Sequence, residues 1–427
     1  MNTQGIYHNV TGRIPDSPLF LVEASDESRD LHGWIVVHSL GSSGSCGGVR
    51  LYPDVTAVEI GALARAMTCK YCFFERPMGG AKAGLVMPVD ASREERNRLM
   101  RAFGHHIRAL LSTNLYNPWT DMNCGKDDLQ ALYDGAGLTH GDWLGDSSYH
   151  TSLSTFAGLV ATAEFLRLVP SECRVTVEGA GNVGTHLIRE ITEWGAKVIG
   201  ASTRLGAVHN ARGLSPEEIV RLRDWAGDGW VLEMGDWEKH PVHSLSALEA
   251  NLHVPCARVH TLTLDVAQRI RCQAVVPAAN VPATPDAAKE LETRGILMLP
   301  DFVINGGGIV GTSLADQELS EHAVRSFFVH DFKNMCLRMI QMASALKMTP
   351  TQLAMNYAHG YYDTLYRSGV TPPSMGRRIY RGLAWRGLMP RSRKLRKTHR
   401  HLLRIVNRRF LNADDIASED STFRSSG

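Results

Sequence analysis

The 427 residues carry 46 Lys and Arg against 44 Asp and Glu, 44% apolar side chains and eight cysteines. This length exceeds one ordinary core and predicts two domains, and the composition is that of a soluble globular chain rather than a disordered or disulfide-stapled one. No apolar run reaches the roughly 18 residues a bilayer span needs, and Met1 to Asp30 has no basic region followed by an apolar stretch, so a cytoplasmic protein is expected.

Trp34 to Leu40 reads as a strand, followed by a Gly/Ser loop over 41–48 and a short strand at Val49 to Tyr52. Thr56 opens a helix through Cys72, with Val58, Ile60, Leu63, Ala64 and Met67 on one face. Within it Cys69 and Cys72 form a CxxC without a second pair at zinc-site spacing, so they read as packing residues and no metal is expected. The stretch Arg76 to Gly84 then reads as a glycine-rich turn holding one lysine, Lys82. Glycines let backbone approach a ligand closely, which makes Lys82 the candidate chemical centre.

Leu85 to Pro88 reads as a short strand, and Ser92 with Glu95 as a capping box for a helix from Arg93 to Leu111. A loop from Asn117 to Gly125 holds Asp121, on its own an ordinary turn residue, ahead of a helix from Asp127 to Gly135. The polar stretch His140 to Thr151 marks a domain boundary, after which Ser154 and Thr155 start a helix through Leu168.

Arg174 to Glu178 is a β-type run that meets Gly179-Ala180-Gly181-Asn182-Val183-Gly184 and then a helix bearing Leu187, Ile188 and Ile191. In a GxGxxG turn the first glycine makes the bend, the second admits pyrophosphate and the third lets helix pack on strand, with the helix N-terminus facing the phosphates. A second strand from Ala196 to Ser202 arrives at the expected distance and ends in Thr203-Arg204. No carboxylate stands there for a ribose 2′-hydroxyl, whereas arginine pairs with a 2′-phosphate. NADP is therefore expected, with NAD the other candidate.

Arg258 to Ile270 is helical in pattern, Ala274 to Asn280 and Ile296 to Leu299 read as buried strands, and Asp301 to Gly311 as a second glycine-rich crossing. Helices follow at Leu319 to Leu346 and Pro350 to Ser368 before Pro372-Pro373 breaks the pattern. Residues 371–427 hold 14 Lys and Arg against 4 acids, leaving 32 against 40 in the body. In the tail from Arg377 to Arg409 these cations alternate with Leu402, Leu403, Ile405 and Val406 among other apolar residues. Such a tail either contacts nucleic acid or anionic membrane or docks by its apolar stripe on the acidic body or a neighbouring subunit.

Taken together, the lysine turn, Met67 to Lys70 before it, the Asp121 loop, the GAGNVG loop and Leu299 to Gly308 resemble the glutamate/leucine/phenylalanine/valine dehydrogenase family over about residues 30 to 370. The resemblance implies an α/β fold with a substrate domain over 1–148 completed by returning helices at 340–372, and a Rossmann-type domain over 149–339. A cleft between the domains would close for reaction, and the basic extension would cover 373–427. It implies a catalytic Lys82, an α-carboxylate-binding Lys70, a proton-shuttling Asp121, and Gly47 and Gly48 lining the substrate pocket. Thr155 would contact the nicotinamide amide, Asn280 would lie near its ribose, and Asn305 opens the family's NxGG turn.

Two departures bear on substrate. Cys46 stands where glutamate-specific members place a lysine, and Thr312 where they place a serine. A substrate carboxylate buried without its cation costs several kcal/mol, so an amino acid other than glutamate is expected, with a neutral side chain, the alternative being a cationic one that reaches past Cys46 and Thr312 to another acid. The implied activity is reversible oxidative deamination to the 2-oxo acid and ammonia by a homo-oligomer. The competing reading is a dinucleotide-binding protein with altered chemistry that acts through its basic tail on nucleic acid, membrane or protein.

Overall fold

The computed structural model describes residues 13–139, 147–235, 237–315, 319–367, 402–407 and 409–410. They form two units, one drawn from 7–143 and 355–390, the other from 144–354 and 391–427.

In the first unit, strands β1 (Phe20–Asp26), β2 (Leu31–Val37), β3 (Ser45–Leu51), β4 (Gly79–Leu85) and β5 (Asn117–Trp119) form one sheet in the order β1-β2-β4-β3-β5. The pairs β1/β2 and β2/β4 are antiparallel, and β3 runs parallel to both β4 and β5. Helix α1 (Ala57–Phe73) starts where the Thr56 hydroxyl accepts the Glu59 N–H at 3.2 Å. Ser92 caps α2 (Arg93–His106) in the same way. A break at Ile107 separates α2 from α3 (Arg108–Ser112), and α4 (Lys126–Ala136) follows β5.

Side chains alternate across β4. Ala81, Ala83 and Leu85 enter a core with Leu99, Phe103, Leu129 and Leu132 of α2 and α4. Gly80, Lys82 and Gly84 therefore face the other way, and α1 crosses that face. The stretch expected as a turn is thus a central strand. Its glycines serve close packing: a Cβ on Gly80 would stand 2.2 Å from the Thr68 nitrogen, and one on Gly79 1.9 Å from the Ser39 carbonyl oxygen. Likewise Gly47 and Gly48, expected in a loop, lie inside β3.

The second unit opens with α5 (Ser147–Phe165) and carries seven strands: β6 (Arg174–Glu178), β7 (Lys197–Thr203), β8 (Gly206–His209), β9 (Glu238–His240), β10 (Leu252–Pro255), β11 (Ala274–Val275) and β12 (Leu297–Met298). Their order is β12-β11-β10-β6-β7-β8-β9. The run from β12 to β7 is parallel, and β8 and β9 extend it as antiparallel strands. Helix α6 (Asn182–Glu193) follows β6, giving the strand, glycine loop and helix of a dinucleotide fold.

Several expected boundaries move. Helix α5 starts seven residues before Ser154 because its hydroxyls bond back to its own backbone: Ser152 to Tyr149 O at 2.7 Å, Ser154 to Thr151 O at 3.0 Å. The region Asp301 to Gly311 forms two helices, Asp301–Ile304 and Gly307–Ala315, with Gly307 pressed so closely on α5 that a Cβ would lie 1.9 Å from His150 O. Only Ala274–Val275 of the strand expected to reach Asn280 joins the sheet, and only Leu264–Arg269 of Arg258 to Ile270 is α-helical. The helix expected over Leu319 to Leu346 contains a π-helical turn at Phe327–Phe332, between Glu321–Ser326 and Lys333–Ala345.

Of the basic tail, Leu402, Ile405, Val406 and Phe410 are buried. The Arg338 guanidinium donates to the carbonyls of Val406 at 2.7 Å and Arg409 at 3.1 Å, satisfying the end of that short helix. This part docks by its apolar stripe; the cation-rich stretch before it lies outside the described residues. Among the described residues no helix is long and apolar enough to cross a membrane.

Candidate active site and cofactor cradle

The first unit gathers its polar residues where β4, β3 and the β5–α4 loop meet. Lys82 on β4 is only 3% exposed, and its Nζ lies 2.9 Å from Asp121 Oδ1. The other carboxylate oxygen, Asp121 Oδ2, accepts from Arg50 Nε of β3 at 3.1 Å, and Arg50 Nη1 pairs with Glu59 of α1. The glycines of β3 make this approach possible: a Cβ on Gly48 would fall 2.6 Å from Asp121 Cβ, and one on Gly47 1.6 Å from the Ala81 carbonyl oxygen. Arg50 and Glu59 are additions that sequence reasoning missed, although Arg50 closes the Gly47-Gly48-Val49-Arg50 motif.

Charge and burial act in opposite directions on this group. Burial lowers the pKa of Lys82, the Asp121 carboxylate opposes that shift, and the Arg50 guanidinium adds to it, so the ammonium loses its proton below the usual lysine range. Burial works to raise the pKa of Asp121, but Lys82 and Arg50 outweigh it and hold the carboxyl well below the usual range. The site thus pairs an acid that stays ionised with a lysine that gives up its proton readily, an arrangement suited to proton transfer.

Lys70, on the last turn of α1, is buried. Cys46 is buried in β3, and its thiol is pushed up to about 11 by burial, with the Tyr71 hydroxyl and Lys82 pulling the other way. The Tyr116 hydroxyl donates to the Gly47 carbonyl at 3.0 Å. At pH 7 Cys46, Tyr71 and Tyr116 are therefore neutral, burial raising both phenols.

In the second unit Gly179 has φ 102°, a conformation open to glycine, and a Cβ on Gly184 would strike the Gly179 carbonyl oxygen at 2.1 Å. Gly181 precedes α6 with open space around its Cα, where a Cβ would meet nothing within 4 Å. Asn182 and Val183 form the first turn of that helix. This geometry fits a pyrophosphate at a helix N-terminus, and the residues present suit a dinucleotide. The Arg223 guanidinium donates to Asn182 Oδ1, placing a cation beside the cradle.

At the end of β7, Arg204 Nε donates to Asp228 Oδ2 at 2.9 Å, and the Thr203 hydroxyl donates to the Asp228 carbonyl at 2.8 Å. The expectation that no carboxylate is available there is corrected. The chain brings one from 24 residues downstream, beyond the reach of a pattern confined to the strand end. Farther on, Asn305 Nδ2 donates to the Asn280 side chain at 3.1 Å and to the Ala279 carbonyl at 3.0 Å, joining those two positions. The Gly307 N–H donates to Ser154, next to Thr155, whose own hydroxyl bonds to Thr151 O at 2.8 Å within α5. Thr312 lies on the Gly307–Ala315 helix with its hydroxyl donating to the Gly308 carbonyl at 2.6 Å.

Comparisons with known proteins agree with this arrangement. The family profile for Glutamate/Leucine/Phenylalanine/Valine dehydrogenase matches residues 146–360, and that for the Glu/Leu/Phe/Val dehydrogenase dimerisation domain matches residues 19–136. The glutamate dehydrogenase of Thermotoga maritima is 32% identical over 295 residues, covering 65% of this chain and 70% of that protein. The NADP-specific glutamate dehydrogenase A1 of Halobacterium salinarum is 32% identical over 279 residues, 62% of this chain and 66% of its own length. Among solved structures, the hetero-hexameric glutamate dehydrogenase of Thermus thermophilus in its leucine-bound form superposes with a TM-score of 0.72 at 26% identity, covering 82% of this chain and 90% of that one. Two family profiles matched in order over the two units and a shared fold establish that the chain belongs to the glutamate/leucine/phenylalanine/valine dehydrogenase family of NAD(P)-dependent amino-acid dehydrogenases.

Proposed function

We propose that this chain catalyses the reversible oxidative deamination of an L-amino acid with a neutral side chain, yielding the 2-oxo acid, ammonium and reduced NAD(P). The observation that carries this reading is the buried Lys82–Asp121 pair, an acid held ionised beside a lysine whose pKa burial lowers, on the same sheet as a neutral Cys46. A nicotinamide dinucleotide held at Gly179 to Gly184 would supply the acceptor for the Cα hydride. Neutral Lys82 accepts a proton from the water that attacks the resulting imine carbon, forming the new C–O bond. The proton now on Lys82 is relayed through the Asp121 carboxylate, held by Arg50, to the amino nitrogen. The C–N bond then breaks, ammonia leaves, and the hydroxyl gives its proton to Lys82 as the 2-oxo group forms, while Lys70 fixes the substrate carboxylate.

The relatives quoted are glutamate dehydrogenases, and the departure from them rests on Cys46. With a thiol in place of a cation, a substrate side-chain carboxylate would be desolvated without a partner. Arg204 supports NADP and Asp228 supports NAD, each by the chemistry of the 2′ position. A dimerisation-domain profile over residues 19–136 supports a homo-oligomer.

The test is turnover of neutral, acidic and basic L-amino acids with NAD and with NADP, read by nicotinamide absorbance. Activity with neutral side chains is expected to fall by about 10² to 10⁴ in Lys82→Ala, the usual worth of a general base. In Cys46→Lys the preference is expected to move toward glutamate by tenfold or more, about 1.4 kcal/mol. Wild-type turnover of glutamate alone would overturn the substrate reading, and a Lys82→Ala variant as active as wild type would overturn the mechanism.

A further inference from the structure

Outside this chemistry, the edge of the second unit's sheet carries a cluster that the deamination reading does not use. Strand β9 is the edge strand, and it pairs antiparallel with β8 so that His209 stands opposite Glu238 and Ala207 opposite His240. Strand alternation puts Glu238 and His240 on one face of β9 with His209 beside them, and turns the intervening Lys239 to the other face. There Lys239 Nζ donates to the Leu232 carbonyl at 2.5 Å. The candidate ligand atoms of His209, Glu238 and His240 all lie within 4.8 Å of one another. Nδ1 of His209 is 3.0 Å from Glu238 Oε2, and Nε2 of His240 is 3.4 Å from Glu238 Oε1. This last nitrogen is buried and makes no aligned hydrogen bond.

The two histidine–glutamate separations are close to those of a first shell. Two ligand atoms each about 2.1 Å from a tetrahedral ion stand about 3.4 Å apart. Two imidazoles and one carboxylate form a donor set that suits zinc and its late first-row neighbours, leaving a fourth position for water. We propose that His209, Glu238 and His240 form a binding site for a divalent transition-metal ion of the zinc class. The site has a structural place as well as a donor set. His209 ends β8 and Glu238 begins β9, so an ion between them closes the neck of the excursion that carries Arg223 and Asp228. Binding to the native pairing, which the unfolded chain lacks, raises stability by mass action.

The full-length protein, freed of metal with a chelator, is titrated with Zn²⁺ against a chromophoric competitor and separately with Co²⁺ followed by visible absorption. One Zn²⁺ per chain is expected, with a rise in the unfolding midpoint. The cobalt spectrum is expected to be tetrahedral or five-coordinate, without thiolate charge transfer, which sets this site apart from the eight cysteines. His209→Gln and His240→Gln, both at half-buried positions, are expected to keep the metal-free unfolding midpoint and to lose about tenfold or more in Zn²⁺ affinity. Absence of saturable binding, equal binding by both variants, or a thiolate band in the cobalt spectrum would each overturn the site.

Discussion

At the scale of single residues, the chemistry proposed for Lys82 depends on which neighbour moves its proton. Arg50 and burial push that proton off, and Asp121 holds it on. The unprotonated amine is the active form, so kcat/KM for deamination rises with pH through the lysine pKa, which lies below the ordinary value of about 10.4. Removing the negative partner in Asp121→Asn lowers that pKa further and shifts the acid limb to lower pH, along with a loss of rate. Removing the positive one in Arg50→Met shifts it to higher pH. Shifts of opposite sign in the two pH profiles are the expected outcome, and limbs that stay put in both would separate the measured ionisation from Lys82. Glu59 supplies the structural reason for keeping a buried arginine here, since its carboxylate neutralises the far side of the guanidinium.

At the scale of elements, the glycines of β3 govern the same site by sterics. Adding a methyl at Gly47 drives it into the Ala81 carbonyl, and the strand pair must part; Gly47→Ala is expected to cost about 1–3 kcal/mol or more in chemical denaturation. Gly48→Ala meets the Asp121 side chain itself, so it is expected to lower kcat more than its loss of stability explains. The Arg204–Asp228 pair is the element-level device proposed for coenzyme choice. Asp228→Asn leaves the guanidinium free for a 2′-phosphate, and Arg204→Ser leaves a carboxylate for a 2′-hydroxyl. The ratio of kcat/KM for NADP over NAD is expected to rise in the first and fall in the second, by about tenfold, the worth of one charge-assisted contact. Ratios unchanged in both would remove this pair from coenzyme choice.

The same elements show what could be read in advance. The β6–loop–α6 unit was legible because every step is local: a strand, three glycines at fixed offsets and a helix. Lys82 could be singled out from its motif, but the strand that carries it could not. A run of glycine looks like a turn until α1 is laid across it, and that contact joins residues such as Thr68 and Gly80 through tertiary packing. Helix α5 hid its true start because Ser and Thr signal a cap in sequence, whereas here their hydroxyls bond back into the helix. Arg50, Arg223 and Asp228 reach their partners across the fold, and no periodicity marks such pairs.

At the scale of the whole molecule, the tail poses a choice between binding something else and holding the protein together. The described part favours the second role, because Leu402, Ile405, Val406 and Phe410 are buried and Arg338 caps the carbonyls behind them. At about 1.5 kcal/mol for each fully buried side chain, the four contribute about 6 kcal/mol before the cost of ordering the segment. The net is smaller, because each ordered residue gives back roughly 1–2 kcal/mol of chain entropy. Deleting residues 391–427 is therefore expected to lower the unfolding midpoint, and Arg338→Ala to do so by a lesser amount, about 1–3 kcal/mol for carbonyls left unpaired. In both proteins the pH dependence of deamination should stay as in wild type, since Lys82, Asp121 and Arg50 all belong to the other unit. If the tail served instead as a polyanion-binding arm, the deletion would leave the midpoint unchanged and abolish a salt-sensitive interaction with RNA or anionic vesicles. Unfolding curves and binding isotherms on the same pair of proteins thus decide between a strap and an arm.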